Sequence, residues 1–433
     1  MNTQTLDYIK TFLLGDDVSP NLIHTIGYTN DRNLFYRYKI VIVPSDFFEE
    51  EVYGTAASLP TLPLEEIDNV PLLFGRPGTR FIGSTLVVYA DIIASAYFLL
   101  TRYEEMVRRD IRDEHGRFPG KESLPCRAGF MFRPVVDEYR HLLRKWLREA
   151  GIEVPDLPRG IGKVWLTHDV DAPFLYRSWK GFIRSLRDGR GWSRSLKGKF
   201  GALENDPYYT FPRFFEEDGK LIRLRKKERC QAVYFIRSGG NAPQDKPHYK
   251  LNNRDIAQLI DKIEREEATI GLHTSYLASK IPGSIPKERE ELEKHTVKEI
   301  RWNRFHFLAA REPEAFESLE AAGITEDFTM GYADKVGFRL GTCRPVRWIN
   351  PANRKLTHLL LHPLVMMDST MEEKKYMGLS AEEAEETALT LIKEIEKHQG
   401  ECVLLWHNTS LSEGRGSYLP SLYTIILDQI QNR

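Results

Sequence analysis

Short apolar runs alternate with amphipathic stretches over most of this chain, and this alternation constrains the fold more than any other feature. Strand candidates occur at 163–169, 231–237, 268–273, 304–309, 327–332, 337–342, 358–367 and 402–408. Helix candidates lie between several of them, at 252–267, 287–300, 314–323 and 380–400. Repeated alternation of strands and helices predicts a parallel sheet, either open or closed into a barrel. Polar groups at the carboxyl ends of its strands are then the candidates for a site.

The first part of the chain has a different pattern. Residues 38–48 predict a strand, and 91–110 predict one long helix with a polar rear half. A further helix is predicted at 135–151, where the helical spacing ends at a glycine. The prolines and glycines of 152–162 are typical of a linker. Since 433 residues exceed the usual single core, we expect an N-terminal α/β domain over 1–155 and a second domain over 156–433.

Composition narrows the class of protein. The net charge is −1, with 28% charged and 41% hydrophobic residues, so nothing attracts the whole chain to nucleic acid. The apolar run at 86–100 is interrupted by Asp91 and is too short to cross a bilayer. Residues 1–17 lack the pattern of a signal peptide, and the four cysteines form no CxxC pair. We therefore expect a soluble, cytoplasmic protein without a disulfide framework.

Two aspartates end the first strand of the alternating region, in the segment LTHDVD. Asp169 and Asp171 are two residues apart, so a strand would place both side chains on one face, about 7 Å apart. Two carboxylates there repel each other and are costly to bury unless a cation or a shared proton relieves them. The alternative is a helix N-cap or a loop turn before Pro173.

Other candidate strands also end in reactive groups, namely His273, Arg304 with His306, and His407 with Asn408. A carboxylate and one or two imidazoles converging from different strands form a divalent-metal site with open positions. Such a cation activates water at neutral pH, a second carboxylate can serve as general base, and a histidine can protonate the leaving group. Each group also has a structural alternative, such as a core histidine or an ordinary ion pair.

In chain order, THDVD, GLHTS, RFHF and LLWHN resemble the motifs of polysaccharide deacetylases of the NodB-homology type. These are carbohydrate esterases that remove N-acetyl or O-acetyl groups on a distorted (β/α) barrel. The resemblance covers about 160–433. With its first 155 residues included, the chain resembles a bacterial subgroup of these proteins that carries an extra N-terminal domain of unknown role.

The resemblance implies a role for each matched residue. Asp169 would be the catalytic base, Asp171 and His273 metal ligands, and His407 the general acid. Arg304 would hold the base ionised through a charge-assisted hydrogen bond.

Two departures from the family pattern concern the metal. The second metal histidine of the family is Leu277 in this chain, and leucine cannot coordinate an ion. The proline that follows the family's arginine is replaced, within RFHF, by His306. We expect His306 to supply the missing ligand, with hydrogen bonding to another ligand as its alternative, and zinc as the expected divalent cation.

Two further regions are polar or basic. Asp327, Tyr332, Asp334 and Arg339, and also Asn408, are interpreted as groups that bind substrate or support the residues that do. Residues 177–201 carry eight Lys/Arg against one Asp, with interleaved aromatic residues. They predict a flap over an anionic ligand, a glycan or a membrane surface, or alternatively a solvated loop.

The leading functional hypothesis is a metal-dependent hydrolase that deacetylates an amino sugar in a polysaccharide or in its precursor. A relative of the cyclic-amide hydrolases that share this barrel, acting on a C–N bond without metal, is the second hypothesis, for which Leu277 is the supporting feature. The third is a catalytically silent glycan-binding protein. Retention of both aspartates and His407 argues against the third, because a silent site has no use for repelling carboxylates.

Overall fold

The computed structural model describes residues 1–187, 191–412, 416–431 and 433. Over these residues the chain forms a four-stranded sheet near its N-terminus and a nine-stranded sheet in its later part. The described helices include none long and apolar enough to cross a membrane.

The N-terminal part has six strands, which are β1 Ile26–Tyr28, β2 Ile40–Ile42, β3 Glu65–Ile67, β4 Val70–Leu72, β5 Gly75–Ile82 and β6 Thr85–Ala90. The four-stranded sheet has the order β1-β2-β6-β5, with β5 antiparallel to β6 and the other pairs parallel. Strands β3 and β4 form a separate hairpin. The helices are α1 Thr3–Leu14, α2 Ile92–Leu100, α3 Tyr103–Val107, α4 Leu124–Arg127 and α5 Val135–Glu149.

The later part has nine strands, which are β7 Lys163–Val170, β8 Cys230–Ile236, β9 Thr269–Thr274, β10 Trp302–Phe305, β11 Glu326–Asp327, β12 Val346–Asn350, β13 Lys355–Leu361, β14 Leu364–Met367 and β15 Glu401–Leu405. Their order is β12-β13-β11-β10-β9-β8-β7-β15-β14, and all pairs except β12–β13 are parallel. Strand β7 is buried along almost its whole length, as expected where helices cover one face and a barrel interior the other.

The sheet curls into a distorted barrel. Trp165 on β7 lies edge-on to Trp302 on β10, with ring centroids 5.3 Å apart, and also contacts Phe328 just beyond β11 at 5.2 Å. Within the described residues no hydrogen-bonded ladder joins β13 to β14. The chain passes between these two strands directly, because β13 continues through His362 and Pro363 into β14. The predicted distorted (β/α) barrel is therefore confirmed.

Nine helices of the described chain accompany the barrel strands, namely α6 Trp179–Arg187, α7 Trp192–Phe200, α8 Phe211–Arg225, α9 Arg254–Arg265, α10 Ser284–Glu293, α11 Glu314–Ala321, α12 Asp368–Glu372, α13 Ala381–His398 and α14 Leu419–Gln431. Local sequence explains several boundaries. In α13, Ser380 and Glu383 form a reciprocal capping box, which satisfies amide groups at the helix start. In α9, four apolar residues at helical spacing, Ile256, Leu259, Ile260 and Ile263, are buried.

Several local expectations differ from the structure. The strand expected over 327–332 is reduced to the two residues Glu326–Asp327. The single helix expected over 91–110 is two helices, because Arg102 between them has a left-handed φ of 50°. The strand expected at 337–342 is a series of turns, in which Gly337 has a φ of 127° that suits glycine. The strand expected over 304–309 ends at Phe305.

The N-terminal part packs closely on the barrel. Buried Asp137 on α5 accepts hydrogen bonds from Thr342 Oγ1 at 2.9 Å, Cys343 N at 2.8 Å and Arg344 Nε at 2.6 Å. Apolar residues of both parts belong to one continuous buried cluster. The division at about residue 155 stays a prediction, since the contacts across it are extensive.

Candidate active site

Five of the side chains singled out in the sequence lie together at the carboxyl ends of the barrel strands. Asp169 on β7 and Asp171, His306 and His407 just beyond the ends of β7, β10 and β15 line one cavity of about 560 Å³. His273, near the end of β9, is completely buried and contacts the two aspartates. Parallel strands bring residues distant in sequence to the same edge, which explains the convergence.

Three potential ligand atoms meet at one point. Asp171 Oδ1 lies 3.2 Å from His273 Nε2 and 3.3 Å from His306 Nε2. The potential ligand atoms of these three residues all lie within 4.8 Å of one another. His407 Nε2 is farther away, at 3.7 Å from Asp171 Oδ2.

The hydrogen bonds of the two Nδ1 atoms determine which species the three converging atoms can bind. His273 Nδ1 lies 2.9 Å from the carbonyl oxygen of Arg304, which can only accept, so Nδ1 carries the proton. His306 Nδ1 lies 2.8 Å from Asp245 Oδ1 and is protonated for the same reason. In the neutral imidazoles both Nε2 lone pairs then face the Asp171 carboxylate with no hydrogen between them.

The two Nε2 lone pairs and the Asp171 carboxylate repel one another unless a positive charge lies between them. Asp171 Oδ1 and His273 Nε2 are buried atoms without a hydrogen-bond partner among the described residues. Two imidazole nitrogens and a carboxylate oxygen are a common ligand set for zinc, with the outer nitrogens held by a carbonyl and a carboxylate. Asp171, His273 and His306 therefore fit a divalent cation.

Protons are the alternative source of positive charge. Burial by itself would raise the pKa of Asp171, but His306 and His273 hold it well below its ordinary value. Burial likewise opposes the charged form of His306, yet Asp171 and Asp245 raise its pKa. The site thus favours an ionised Asp171 beside a positive charge, whichever species carries it.

The second carboxylate is held by a buried arginine. Arg304 Nη1 donates to Asp169 Oδ1 at 3.0 Å and to Thr167 Oγ1 at 2.7 Å, while Nε donates to the Phe328 carbonyl oxygen at 3.0 Å. Arg304 is completely buried, and burial lowers its pKa although Asp169 opposes the effect. The ion pair aims the other oxygen, Asp169 Oδ2, toward His273 Nε2, 3.6 Å away.

His407 is held by a carboxylate that the sequence analysis did not single out. Asp368 Oδ1 lies 2.8 Å from His407 Nδ1, and Oδ2 accepts from the His407 backbone amide at 2.6 Å. Burial would lower the pKa of His407, but Asp368 raises it to about 10. The contact with Asp368 therefore favours the charged form of His407.

A turn after β10 brings His306 into the cluster. The strand ends at Phe305, and Phe307 adopts a left-handed φ of 60°. This turn directs His306 toward Asp171, while Asp245 from the segment after β8 holds the ring on its other side. Leu277 instead packs beside a small apolar cluster that contains Tyr276 and Ala309.

The residues interpreted as substrate-binding lie outside this cavity, and their contacts give that interpretation no support. Arg339 pairs with Glu105 through two hydrogen bonds of 2.9 and 2.7 Å and lines a different cavity. Tyr332 is buried beside Phe118 and Met131. The remaining three are engaged in hydrogen bonds within the fold, namely Asp327, Asp334 and Asn408.

Three groups at the site were missed in the sequence. Asp368 follows the apolar strand β14, which is the same signal that identified Asp169, so it could have been found. Asp245 lies in a short turn with no such signal. Arg117, from the N-terminal part, lines the cavity and donates to the carbonyl oxygen of Phe307 at 2.9 Å, so the first 155 residues help to form the site.

Comparisons with known proteins gave one family match and several similar solved structures. Residues 11–151 match the model of a family of unknown function (DUF7033). The search of curated proteins gave no match.

Among solved structures, a putative polysaccharide deacetylase from Mycobacterium smegmatis is 14% identical, with a TM-score of 0.41, covering 64% of this chain and 86% of that one. BA3943, a CE4 family pseudoenzyme from Bacillus anthracis, is 11% identical, with a TM-score of 0.29, covering 65% and 67%. A mutant of BA3943 with restored enzymatic activity is 12% identical, with a TM-score of 0.28, covering 65% and 69%. At these identities and scores, the activity of this chain must be argued from its own residues.

Proposed function

We propose that this chain is a metal-dependent hydrolase that removes an acetyl group from an N-acetylated sugar of a polysaccharide or its precursor. The observation that carries the proposal is the convergence of Asp171 Oδ1, His273 Nε2 and His306 Nε2 on one buried point. An aspartate held by an arginine and a histidine held by an aspartate lie beside that point. A cytoplasmic location is part of the proposal.

Asp171, His273 and His306 would hold the cation, for which zinc is the first candidate. When bound, such a cation polarises a carbonyl oxygen and lowers the pKa of water. Side chains of the protein then accept and donate the protons of the reaction. Asp169 accepts the proton of the attacking water as general base, and Arg304 pairs with that carboxylate and orients it.

His407 serves as the general acid in this proposal. Its Nδ1 is held by Asp368, so the other nitrogen, Nε2, faces the cavity and Asp171. As the C–N bond of the amide breaks, Nε2 gives its proton to the leaving amine, and the acetyl group leaves as acetate. Water supplies the oxygen and protons that balance the reaction.

The metal-independent C–N hydrolase remains the second candidate, and Leu277 is the observation in its favour. Asp171 Oδ1 and His273 Nε2 are buried and have no hydrogen-bond partner in the described part of the chain, which favours a metal instead. A silent glycan-binding protein would have no use for a buried ion pair that orients Asp169 at the cavity.

The test compares two aspartate variants of the purified full chain loaded with zinc. Asp169→Asn should keep one equivalent of metal and its fold while acetate release from chitooligosaccharides falls by at least about a hundredfold, since general base catalysis contributes that much. Asp171→Asn should lose both metal and activity. Unchanged acetate release by Asp169→Asn would show that Asp169 is not the general base. Full activity of the metal-free protein would favour the metal-independent hydrolase.

A further inference from the structure

The connection between β7 and α8 forms a hairpin of two short helices, α6 and α7, that exposes five large apolar side chains. The exposed fractions are 63% for Trp179, 49% for Ile183, 69% for Trp192, 41% for Leu196 and 65% for Phe200. In the described chain there are twelve large hydrophobic residues exposed to this degree, and these five lie within 22 positions. Such a concentration differs from the single exposed apolar residues that any surface carries.

The five residues form one patch. Trp179 and Ile183 are four residues apart on α6, and Trp192, Leu196 and Phe200 are spaced by four on α7, so each set lies along one helix face. The rings of Trp179 and Phe200 are 6.1 Å apart, which joins the two faces. We call this surface, formed by the five residues, the hairpin patch.

The sequence around the hairpin patch is strongly basic. Residues 177–201 contain eight Lys/Arg and one Asp, whereas the whole chain has a net charge of −1. Arg187, Arg194 and Lys197 are exposed. Asp188 and Arg190 belong to this count by sequence alone, since residues 188–190 lie outside the described residues.

Exposed tryptophans with leucine or isoleucine on one face and lysine or arginine around them are typical of helices that lie in a membrane interface. Anionic lipids attract such a surface, and the apolar face then inserts among their acyl chains. A protein partner would need an apolar groove with acidic residues around it, whereas an anionic bilayer offers both acyl chains and negative charge over its whole surface. The chemistry of the hairpin patch therefore fits an anionic bilayer best.

The base of the hairpin is attached to the rim of the candidate active site. Asp171 precedes α6 in the same connection, and Asp206 after α7 accepts from the amides of Leu175 and Tyr176 at 2.8 Å each. Asn408, beside His407, donates to the carbonyl oxygens of Ala172 and Tyr208 at 2.9 and 2.7 Å. The hairpin thus leaves the barrel at the end where the cavity opens.

We propose that the hairpin patch docks this protein on an anionic lipid bilayer and so presents the cavity to a substrate held at that surface. The second half of the proposal rests on the proposed deacetylase function and names its substrate class as a glycan on a lipid carrier. The first half stands on the hairpin alone.

The binding test uses the full chain and vesicles of phosphatidylcholine with or without phosphatidylglycerol. The protein should sediment with the anionic vesicles only, and less at high salt because surface charges are screened. Trp179→Ala/Trp192→Ala/Phe200→Ala should abolish sedimentation. Arg187→Glu/Arg194→Glu/Lys197→Glu should weaken it on the order of a hundredfold, because each basic residue near an anionic surface contributes.

Matched controls change exposed residues elsewhere. Tyr36→Ala/Phe81→Ala and Lys298→Glu/Lys355→Glu should sediment like the unmodified protein. Circular dichroism verifies folding, and acetate release from soluble chitooligosaccharides should be unchanged in the hairpin variants. Sedimentation that survives both hairpin variants, or is absent from the unmodified protein, overturns the docking proposal. So does a change of oligomeric state in the aromatic variant without vesicles, which would assign the patch to a second copy.

The two halves can fail separately. Vesicle binding without acetate release from any amino sugar would support the docking proposal and contradict the deacetylase function. If both activities are present, anionic vesicles should increase acetate release from a lipid-linked acetylated sugar and leave that from a soluble oligosaccharide unchanged. Equal rates on the lipid-linked sugar with the unmodified protein and the aromatic variant would overturn the second half.

Discussion

At the scale of single residues, the candidate site depends on the groups that orient the imidazoles. His273 and His306 present Nε2 to Asp171 because a carbonyl oxygen and Asp245 occupy their Nδ1 atoms. His407 is oriented in the same manner by Asp368. The site therefore depends on the groups that hold the Nδ1 atoms as much as on the residues that face the cavity.

Asp245→Asn tests this dependence. The amide can present its nitrogen to His306, which would reverse the ring's tautomer or turn it away, so zinc affinity should fall by about 10–100-fold. Competition with a chelating dye measures the affinity. Asp334→Asn is the matched control, because Asp334 also accepts from the backbone amides of Gly120 and Lys121 but lies outside the cavity. Unchanged affinity in Asp245→Asn would show that the charge of Asp245 is not needed to orient His306 toward the metal.

At the scale of elements, buried ionic groups connect the barrel strands. Arg304 on β10 bonds to Thr167 and Asp169 on β7 and to the carbonyl oxygen of Phe328 after β11. His362, between β13 and β14, bonds to Glu401 on β15 at 2.6 Å and to Glu326 on β11 at 3.0 Å. His362 thus links strands on either side of the position where no described ladder closes the barrel.

Arg304→Leu should lower the free energy of unfolding by about 3–5 kcal/mol, because it leaves the Asp169 carboxylate buried and unpaired. Adding Asp169→Asn should recover part of that loss, since it removes the unpaired charge. Urea unfolding of the two single variants and the double variant gives the coupling energy. Strictly additive losses would show that the ion pair does not join these strands energetically.

His362 predicts a pH dependence of stability. Burial would lower its pKa, but Glu401 and Glu326 raise it to about 9 in the folded state, against about 6.5 in the unfolded chain. The stabilisation is therefore fully present below about pH 6.5 and is lost as the pH rises through about 9. It amounts to on the order of 3 kcal/mol.

The measurement is urea unfolding of the metal-free protein and of His362→Gln across this pH range. The difference in stability between them should shrink by on the order of 3 kcal/mol from about pH 6 to about pH 10. A difference that is constant with pH would mean that His362 is not charged in the folded protein.

At the scale of the whole molecule, the two parts share one buried core and several buried ionic contacts. Asp137 is bonded to residues 342–344, Glu105 to Arg339, and Arg102 to Glu312. Arg117 also reaches the cavity from the N-terminal part. The N-terminal part therefore supports the barrel and lines its site.

We expect the full chain to unfold in one transition, because separating the parts would expose the shared core and leave Asp137 unpaired. A fragment of residues 156–433 should unfold at a lower urea concentration than the full chain. Coincident circular dichroism and tryptophan fluorescence curves measure cooperativity. Two separate transitions, the later one matching the fragment, would show that the division at about residue 155 separates independent domains.

Much of the arrangement follows from local sequence. The alternation of apolar runs and helices predicts the barrel because each element needs one covered face, and residues at strand ends meet at one edge of a parallel sheet. That reasoning brings Asp169, Asp171, His273 and His407 together without any knowledge of contacts. It also identifies the basic segment 177–201 by composition alone.

Only the tertiary structure decided which partners these groups have. The turn at Phe307 and the approach of Asp245 place His306 beside Asp171, whereas Glu105 draws Arg339 into a different cavity. Asp368 and Arg117 reach the site across 39 and 190 positions of chain, to His407 and Phe307. Local periodicity determines which face a side chain occupies, but a hydrogen-bond partner depends on the packing of distant segments, which no local pattern records.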